Sequence, residues 1–480
     1  MGDSAPAAVR MGTGTGRAVI AAAALGSGIA FLDGTVVNVA LRTIGNDLGA
    51  SLSQLQWITN GYLVSLASLI LLGGSLGDRF GRRRVFVIGT TWFAIASMIC
   101  GVAPNPEVLI AARVLQGVGG ALLTPGSLAM IQGAFAHDDR APAIGAWTGL
   151  TSLSAAIGPF VGGGLVEYAD WRWIFLINAP LAAVTVFIAV RWVPETRDEH
   201  ASSHFDLLGA VLAATALGAT TYALIEWGRG MAWVAVCVGV VAAVGFLVVE
   251  SREREPMLVL DIFRNRTFSA ANAMTLLVYG ALGAMSFFVT IQLQTVSGYG
   301  ALAAGAAFIP STLVMISFAS YAGRLAMRIG PRIPMTCGPL IMAAGMLLFR
   351  RIGADPSYIL DVLPGVMVFG VGLTLLVAPL TATVLAAAPD EHAGIASGVN
   401  NAVARAGSLL AVAALPVAVG LHGAEYADPV AFDDSFGLAM MICAGLLAVG
   451  GVISWFLIHP GILDQADSSE EDLDGTTGAG

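Results

Sequence analysis

Long apolar stretches separated by short polar connections follow one another along most of this 480-residue chain. A helix of about 20 mainly apolar residues crosses a bilayer, and a window of that length predicts fourteen such helices here. The predicted spans are 18–40, 52–76, 84–103, 107–132, 141–166, 172–192, 206–228, 231–249, 268–292, 301–326, 333–350, 358–388, 394–420 and 437–459. The pattern predicts an all-α polytopic membrane protein with 14 transmembrane helices in a 6 + 2 + 6 arrangement.

The polar segments divide this protein into five predicted regions. They are a cytoplasmic N-terminal tail (1–17), an N-terminal six-helix bundle (18–192), two inserted helices with cytoplasmic linkers (193–267), a C-terminal six-helix bundle (268–460) and a C-terminal tail (461–480). The C-terminal tail contains six acidic residues and no basic residue. Such a charge run is typical of a disordered, solvated segment.

Composition supports a membrane protein and excludes several functions. Hydrophobic residues make up 56% of the chain and charged residues 11%, against roughly 25% in soluble domains. All 23 basic residues are arginines, so the lysine of a phosphate-binding loop is missing and an ATP-driven pump of that type is excluded within the chain. The net charge of −9 offers no basic surface for nucleic acid. Since no metal-ligand spacing or nucleophile–base pair is present, we expect no metal, no cofactor and no enzymatic activity.

The arginines predict the orientation in the membrane. With the N-terminus inside, sixteen arginines fall on the cytoplasmic side and five outside, and the remaining two, Arg113 and Arg405, lie within spans. Cytoplasmic loops carry an excess of basic residues, and an odd number of helices would not preserve this bias. The distribution predicts a multi-pass protein of the cell (cytoplasmic) membrane with both termini in the cytoplasm.

The two six-helix regions repeat one sequence pattern. The segment 74–83 follows the second span, and a similar segment, 323–332, follows the tenth span 249 residues later. The second copy carries Met327 where the first carries Asp78. Transporters are commonly built from such repeats, with the substrate site near the midplane between them. The repeat predicts a duplicated six-helix unit and favours a transporter over a channel or a receptor.

Four motifs, in order along the chain, resemble the major facilitator superfamily and, more narrowly, its fourteen-helix drug:proton antiporters. The signature cytoplasmic loop is matched by Gly74, Gly77, Asp78, Arg79, Gly81, Arg82 and Arg83. The first-helix motif is matched by the run 32–41, which contains Asp33 and Asn38. The fourth-helix motif is matched by Leu109, Arg113, Gln116, Gly117 and Gly119. The fifth-helix antiporter motif is matched by Gly149, Gly158, Pro159, Gly162 and Gly163.

This resemblance implies a major facilitator fold and a proton-driven exporter of lipophilic compounds, cationic ones included, that works by alternating access. A monomer powered by the proton gradient is expected, with drugs or antibiotics, protons and the lipid bilayer as partners. In the resembling family the loop acid, here Asp78, locks the two halves together, and its partner here is the N-terminus of the helix that begins near Gly394. Glycines at 77 and 81 permit the tight turn of this loop.

Asp33 and Arg113 are the strongest candidates for proton coupling. Asp33 lies about 22 Å along the first span, and a carboxylate at that depth normally faces a cavity or a partner. Desolvation favours the neutral acid and a nearby arginine favours the carboxylate, which is the balance that a proton carrier needs. Arg113 and Gln116 share one helix face at a comparable depth. A purely structural ion pair between Asp33 and Arg113 is the alternative, and Arg113 is also close enough to the outer surface to snorkel.

Weaker candidates for a substrate cavity are Asn38, Gln116, Glu226, Asn400, Asn401 and Arg405. Arg405, flanked by two amides, predicts a buried arginine in a second polar cavity wall or, alternatively, an interhelical bond. Glu226 stands beside Trp227 at a span end, where an interfacial anchor explains it equally well. The small residues of 149–163 allow close helix packing and, through the resemblance, indicate export.

Two other functional classes stay open. A proton-coupled uptake symporter for a small metabolite shares the fold but should lack the Gly158, Pro159, Gly162 and Gly163 pattern. A non-transporting membrane scaffold or sensor would tolerate the loss of Asp33.

Overall fold

A computed structural model describes residues 9–198, 206–228, 230–253, 256–389, 393–421 and 425–463. Residues 1–8 of the N-terminal tail and the acidic segment 464–480 lie outside these residues, so the predicted disorder of that segment is not addressed. Within the described residues the chain is helical, apart from connections and one isolated bridge between Val9 and Phe135. The predicted all-α class is confirmed.

The chain divides into two compact units. Unit 1 comprises residues up to Met257 together with Tyr299–Ala306, and unit 2 comprises Leu258–Gly298, Ala307–Leu421 and the chain from Glu425 onwards. The helices of unit 1 are α1 (Gly14–Leu48), α2 (Leu52–Phe80), α3 (Arg82–Gly101), α4 (Pro106–Ala134), α5 (His137–Tyr168), α6 (Trp173–Leu176), α7 (Asn178–Trp192), α8 (Leu207–Ile225), α9 (Ala232–Glu250) and α11 (Ala301–Ala306). Those of unit 2 are α10 (Arg266–Ile291), α12 (Ile309–Ile329), α13 (Arg332–Phe349), α14 (Leu363–Ala386), α15 (Ala393–Ala418) and α16 (Pro429–Leu457).

Thirteen helical stretches of the described chain are long and apolar enough to cross a membrane. They overlap thirteen of the predicted spans, and the predicted span 141–166 falls within α5, a helix of 32 residues that is not among the thirteen. The chain is therefore a multi-pass membrane protein. The count of fourteen, the 6 + 2 + 6 arrangement and the five-region division stay predictions.

Several helix boundaries differ from the predicted spans. The span 172–192 is interrupted at Ile177, because Pro180 cannot donate the hydrogen bond that would continue α6 into α7. The span 301–326 is interrupted between α11 and α12, where Pro310 lies in the first turn of the new helix. Helix α16 begins at Pro429, eight residues before the predicted start at 437. The side chain of Asp428 caps this earlier start, whereas the hydropathy window excludes the segment because it contains Asp433 and Asp434.

The duplicated loops have the same backbone form. A glycine with positive φ lies between α2 and α3 (Gly81, +107°) and between α12 and α13 (Gly330, +77°, followed by Pro331). This conformation is costly for a residue with a Cβ, so glycine suits both positions. The prediction is correct for Gly81 and wrong for Gly77, which lies inside α2 with its carbonyl accepting the Gly81 N–H. Helix α2 continues through residues that the charge pattern assigns to the loop.

Helix packing also repeats between the units. In unit 1, α4 packs against α2 and α3, and α1 packs against α5. In unit 2, α13 packs against α14, and α10 packs against α15 and α16. The inserted helices α8 and α9 pack against each other, and α8 also packs against α2. This arrangement buries the middle of α1 and the first half of α4, where the strongest candidate residues lie.

Candidate functional site

A fully buried ion pair joins α1 and α4 inside unit 1. Asp33 and Arg113 are each 1% exposed, and the Arg113 Nη1 donates to Asp33 Oδ2 at 2.5 Å. Asp33 is the one charged residue of α1 between Arg17 and Arg42, so its helix is otherwise apolar at this depth. The predicted pairing is confirmed, and snorkelling of Arg113 to the surface is wrong because the helices around it enclose the guanidinium.

Gln116 closes a three-membered hydrogen-bonded ring with this pair. Its Oε1 accepts from Arg113 Nη1 at 2.7 Å, and its Nε2 donates to Asp33 Oδ1 at 2.8 Å. The two residues of α4 reach Asp33 together because a spacing of three places them on one helix face. The sequence predicts that shared face, and the structure adds that Gln116 contacts the acid directly.

A further amide, Asn178, completes the shell around the carboxylate. The first residue of α7, it donates from Nδ2 to Asp33 Oδ1 at 3.3 Å and to Ser97 Oγ of α3 at 3.0 Å. Ser97 in turn donates to the Phe175 carbonyl at 2.9 Å. Sequence reasoning missed both residues. The available signal was a lone asparagine in an otherwise apolar span, since intramembrane polar residues mark functional positions.

Backbone and aromatic groups hold the guanidinium of Arg113. Its Nε donates to the Ile58 carbonyl of α2 at 3.0 Å, and its Cζ lies 4.4 Å from the centre of the Tyr62 ring. The Phe175 ring lies on another side at 5.8 Å. A cation gains energy from such ring faces, especially where water is excluded. Protonation of Asp33 would therefore remove one attraction of a well-held arginine and leave the others in place.

The signature loop has its hydrogen-bond partners in the connector that follows α7. Asp78 pairs with Arg82 at 2.9 Å, while the Arg82 N–H donates to the Thr196 carbonyl and the Asp198 N–H to the Asp78 carbonyl, both at 2.9 Å. Glu195 accepts from the Arg83 N–H at 3.0 Å at the start of α3. Sequence reasoning missed Glu195, which caps a helix end distant in sequence.

Other residues of the signature loop pack locally. Gly74 faces the Pro125 ring of α4, and the guanidinium of Arg79 lies over the Phe80 ring at 5.3 Å. The predicted locking role of the loop stays a prediction.

The small residues of α5 pack on two neighbouring helices. A Cβ at Gly158 would collide with Thr35 of α1, and one at Gly162 would lie 2.6 Å from Val36, so this face packs on the part of α1 that follows Asp33. A Cβ at Gly163 would lie 2.6 Å from the Ala301 carbonyl of α11, and the Pro159 carbonyl meets Gly305 of that helix. Gly149 differs, because no described atom lies within 4 Å of its built Cβ and it makes no close approach.

Replacing Gly163 by alanine is expected to lower the free energy of unfolding of the protein by about 1–3 kcal/mol, because the new methyl group meets backbone atoms of α11 that cannot rotate away. Thermal unfolding of the purified protein measures the effect. Gly164→Ala is the matched control, since its Cβ meets a described atom only at 4.0 Å, and it should keep or slightly raise the melting temperature because alanine favours the helix. Equal behaviour of the two variants would contradict close packing at Gly163.

The weaker candidates of unit 1 lie on different helices. Asn38 is half-buried on α1, and Glu226, at the end of α8, accepts a hydrogen bond from Ser53 of α2. The Trp227 and Trp233 rings lie 5.0 Å apart beside it, as an interfacial anchor requires.

In unit 2 the residues of the predicted cavity wall, Asn400, Asn401 and Arg405, do not share one helix face. Asn400 donates to Asn272 Oδ1 at 3.2 Å and to Thr275 Oγ1 at 2.8 Å, both on α10. Asn401 is exposed and donates to the Ser397 carbonyl of its own helix, because consecutive helical residues point about 100° apart. Arg405 is half-buried, so the predicted burial of this arginine is wrong.

Membrane-length helices in two sets with repeated packing, and a buried ion pair inside one of them, are typical of membrane transporters. The family model of the Major Facilitator Superfamily matches residues 23–412. The chain therefore belongs to the major facilitator superfamily and, within it, to the family of the resistance and export proteins described next.

Two curated relatives illustrate this family. The puromycin resistance protein pur8 of Streptomyces alboniger is 34% identical over 460 residues, covering 92% of this chain and 91% of the relative. The multidrug resistance protein Stp of Mycobacterium tuberculosis (strain CDC 1551 / Oshkosh) is 36% identical over 401 residues, covering 82% of this chain and 74% of the relative.

Solved structures show the same fold at low sequence identity. The crystal structure of a POT family transporter in complex with a thioalcohol conjugated peptide matches with a TM-score of 0.68 and 13% identity, covering 90% of this chain and 94% of that chain. A bacterial homologue of the lysosomal transporter Spinster matches with a TM-score of 0.64 and 16% identity, covering 92% and 96%. These matches concern the fold alone.

Proposed function

We propose that this protein is a proton-driven antiporter that exports lipophilic compounds, including cationic drugs and antibiotics, across the cytoplasmic membrane. The observation that carries the proposal is the sealed cluster in which Asp33 contacts Arg113, Gln116 and Asn178. An acid in that position can hold one proton out of contact with water. The resistance and export names of the relatives support drugs as the substrate class.

The proposed cycle begins with ionised Asp33 bound to Arg113. A proton that reaches Asp33 cancels the charge and removes the Coulomb attraction between α1 and α4. Thr35 and Val36, two and three residues beyond Asp33, pack against the glycine face of α5. A small shift of α1 therefore changes its packing on α5, and two packed arrangements of one interface can serve the two states of alternating access.

The remaining features complete this proposal. The chain has 14 transmembrane helices as 6 + 2 + 6, with both termini in the cytoplasm, and works as a monomer. Asp78 and the loop arginines lock one state through the helix N-terminus near Gly394, where the positive end of the helix dipole favours a carboxylate. Polar groups at Asn38, Glu226, Asn400, Asn401 and Arg405 contribute to the walls of the substrate cavity.

Proton release on substrate addition tests the proposal. Inverted membrane vesicles that contain the protein are energised, and a pH-sensitive dye reports the acidity of the lumen. Addition of an exported drug from a panel that includes puromycin is expected to raise the lumenal pH, because each export step releases protons from the vesicle. Vesicles without the protein give the background.

Two results would overturn the proposal. Inward movement of substrates in intact cells, without export, would favour the uptake symporter. The absence of any substrate-dependent proton movement across the panel would favour the scaffold or sensor.

A further inference from the structure

A cavity of about 390 Å³ opens at the end of unit 1 where α1 begins and α7 ends. The segment before α1 forms one wall, and the end of α7 with the following connector forms the other. The residues that line the cavity include Arg10, Thr15, Arg191, Trp192 and Pro194. This cavity is separate from the Asp33 cluster and takes no part in the proposed transport cycle.

Both walls are held in place by hydrogen bonds to other parts of unit 1. Val9 pairs with the backbone at the end of α4, donating to the Ala134 carbonyl at 2.9 Å and accepting from the Ala136 N–H at 3.1 Å. The Met11 N–H donates to Asp139 at 3.1 Å. On the other side, the Val193 carbonyl accepts from Arg83 at 3.0 Å. The cavity is therefore a formed site rather than a gap between loose ends.

Two arginines line the opening of this cavity. Arg10 and Arg191 are exposed, and neither forms an ion pair within the part of the chain that the structure describes. Of the nearby carboxylates, Asp139 accepts from the Met11 N–H beside Arg10, and Glu195 pairs with Arg83. Two guanidinium groups at one opening favour a phosphate or another oxyanion, which each can bind through paired N–H groups.

The surroundings place this charge at the edge of the lipid. The last turns of α7 expose Phe187 (61%) and Trp192 (44%), whose rings meet edge to face at 5.4 Å. The Arg191 guanidinium lies 5.7 Å from the Trp192 ring. Tryptophan at the end of an apolar helix marks the headgroup level of a bilayer, and an arginine beside it extends its charge to that level. If the bound anion carries apolar chains, those chains can lie along α7.

We propose that this cavity binds the phosphate-bearing headgroup of an anionic phospholipid. Arg10 and Arg191 contact the headgroup oxygens, and the acyl chains follow the exposed apolar face of α7 beside Phe187. A basic pocket at a helix end of a membrane protein is a recognised kind of lipid site. A bound lipid would bridge the segment before α1 to the end of α7 and so stabilise unit 1.

Lipid retention on the full-length protein tests this inference. Native mass spectrometry and thermal unfolding are measured in detergent with added phosphatidylglycerol or cardiolipin, with phosphatidylcholine and with inorganic phosphate. We expect retention of the anionic lipids to fall at least about fivefold in Arg10→Gln/Arg191→Gln, with their stabilising effect lost. Arg264→Gln removes one charge from a highly exposed site in unit 2 and should retain lipid as the native protein does.

Each other outcome contradicts the inference. Equal retention of anionic lipid by the double variant and the native protein would show that the cavity is not the site. If the native protein retained phosphatidylcholine as well as it retains the anionic lipids, the negative charge of the headgroup would have no role in binding. If inorganic phosphate stabilises the native protein as much as the anionic lipids do, the ligand is a free anion and the lipid assignment is wrong.

Discussion

Asp33→Asn is expected to abolish substrate-dependent proton release in inverted vesicles, to the level of vesicles that lack the protein. Asparagine keeps the size of the side chain and accepts a hydrogen bond, but it cannot bind and release a proton. The asparagine Oδ1 can keep part of the hydrogen bonds that the carboxylate accepts from Arg113, Gln116 and Asn178. Because Arg113 stays buried without its counter-charge, this variant should also lose stability, so the amount of folded protein in the vesicles is measured beside transport. Drug efflux driven by the proton gradient, expressed per folded protein, should stop.

Two variants make this result specific. Asp33→Glu restores an acid one methylene longer and should recover part of the coupled transport. Asp47→Asn removes another acid of α1, one that binds Trp171 and Arg172 near the end of the helix, and should leave transport intact. Undiminished proton release in Asp33→Asn would place the coupling acid elsewhere.

Arg113→Met is expected to lower the free energy of unfolding of the protein by about 3–5 kcal/mol. Removing one partner of a buried ion pair leaves the other charge buried without compensation. The cost of burying the Asp33 charge alone exceeds the free energy that packing of the methionine side chain contributes. The variant also loses the bond to the Ile58 carbonyl and the contact with the Tyr62 ring. Thermal unfolding in detergent measures the loss.

The matched comparison is Arg172→Met, which breaks the half-exposed pair with Asp47 at 3.0 Å. Such a pair contributes about 0–1 kcal/mol, so the melting temperature should change little.

The double variant Asp33→Asn/Arg113→Met separates stability from transport. Neither buried charge remains, so most of the stability lost in Arg113→Met should return. Coupled transport should stay absent, because no acid is left to carry the proton. Normal coupled transport in the double variant would mean that the pair is structural and would favour the alternative that the sequence alone leaves open.

The candidate site was partly predictable because one helix carries part of it. Arg113 and Gln116 are three residues apart, and helical geometry places them on one face whatever surrounds them. Asp33 stood out because a carboxylate within an apolar span requires a partner. Few groups could be that partner, since Arg113 and Arg405 are the only arginines of the chain away from the ends of the predicted spans.

Asn178 and Glu195 could not be predicted in the same way. Asn178 reaches Asp33 because α7 starts beside α1 and α3, after the break at Ile177. Glu195 reaches the start of α3 because the connector after α7 folds back over the signature loop. In both cases the contact spans more than 100 residues, and no local pattern encodes such a distance.

By itself the sequence determined that this protein crosses the membrane many times, that its two halves repeat, and that a single acid is buried in the first helix. These properties depend on hydropathy, sequence repetition and charge, which can be evaluated segment by segment along the chain. Only the tertiary structure decided which faces of different helices meet. It brought Asn178 to Asp33, turned Asn400 towards α10 and Asn401 away from it, and left Arg405 half-buried. These contacts depend on how all side chains pack together. A given helix face can pack against several different helices, and the sequence of one helix does not determine which of them it meets.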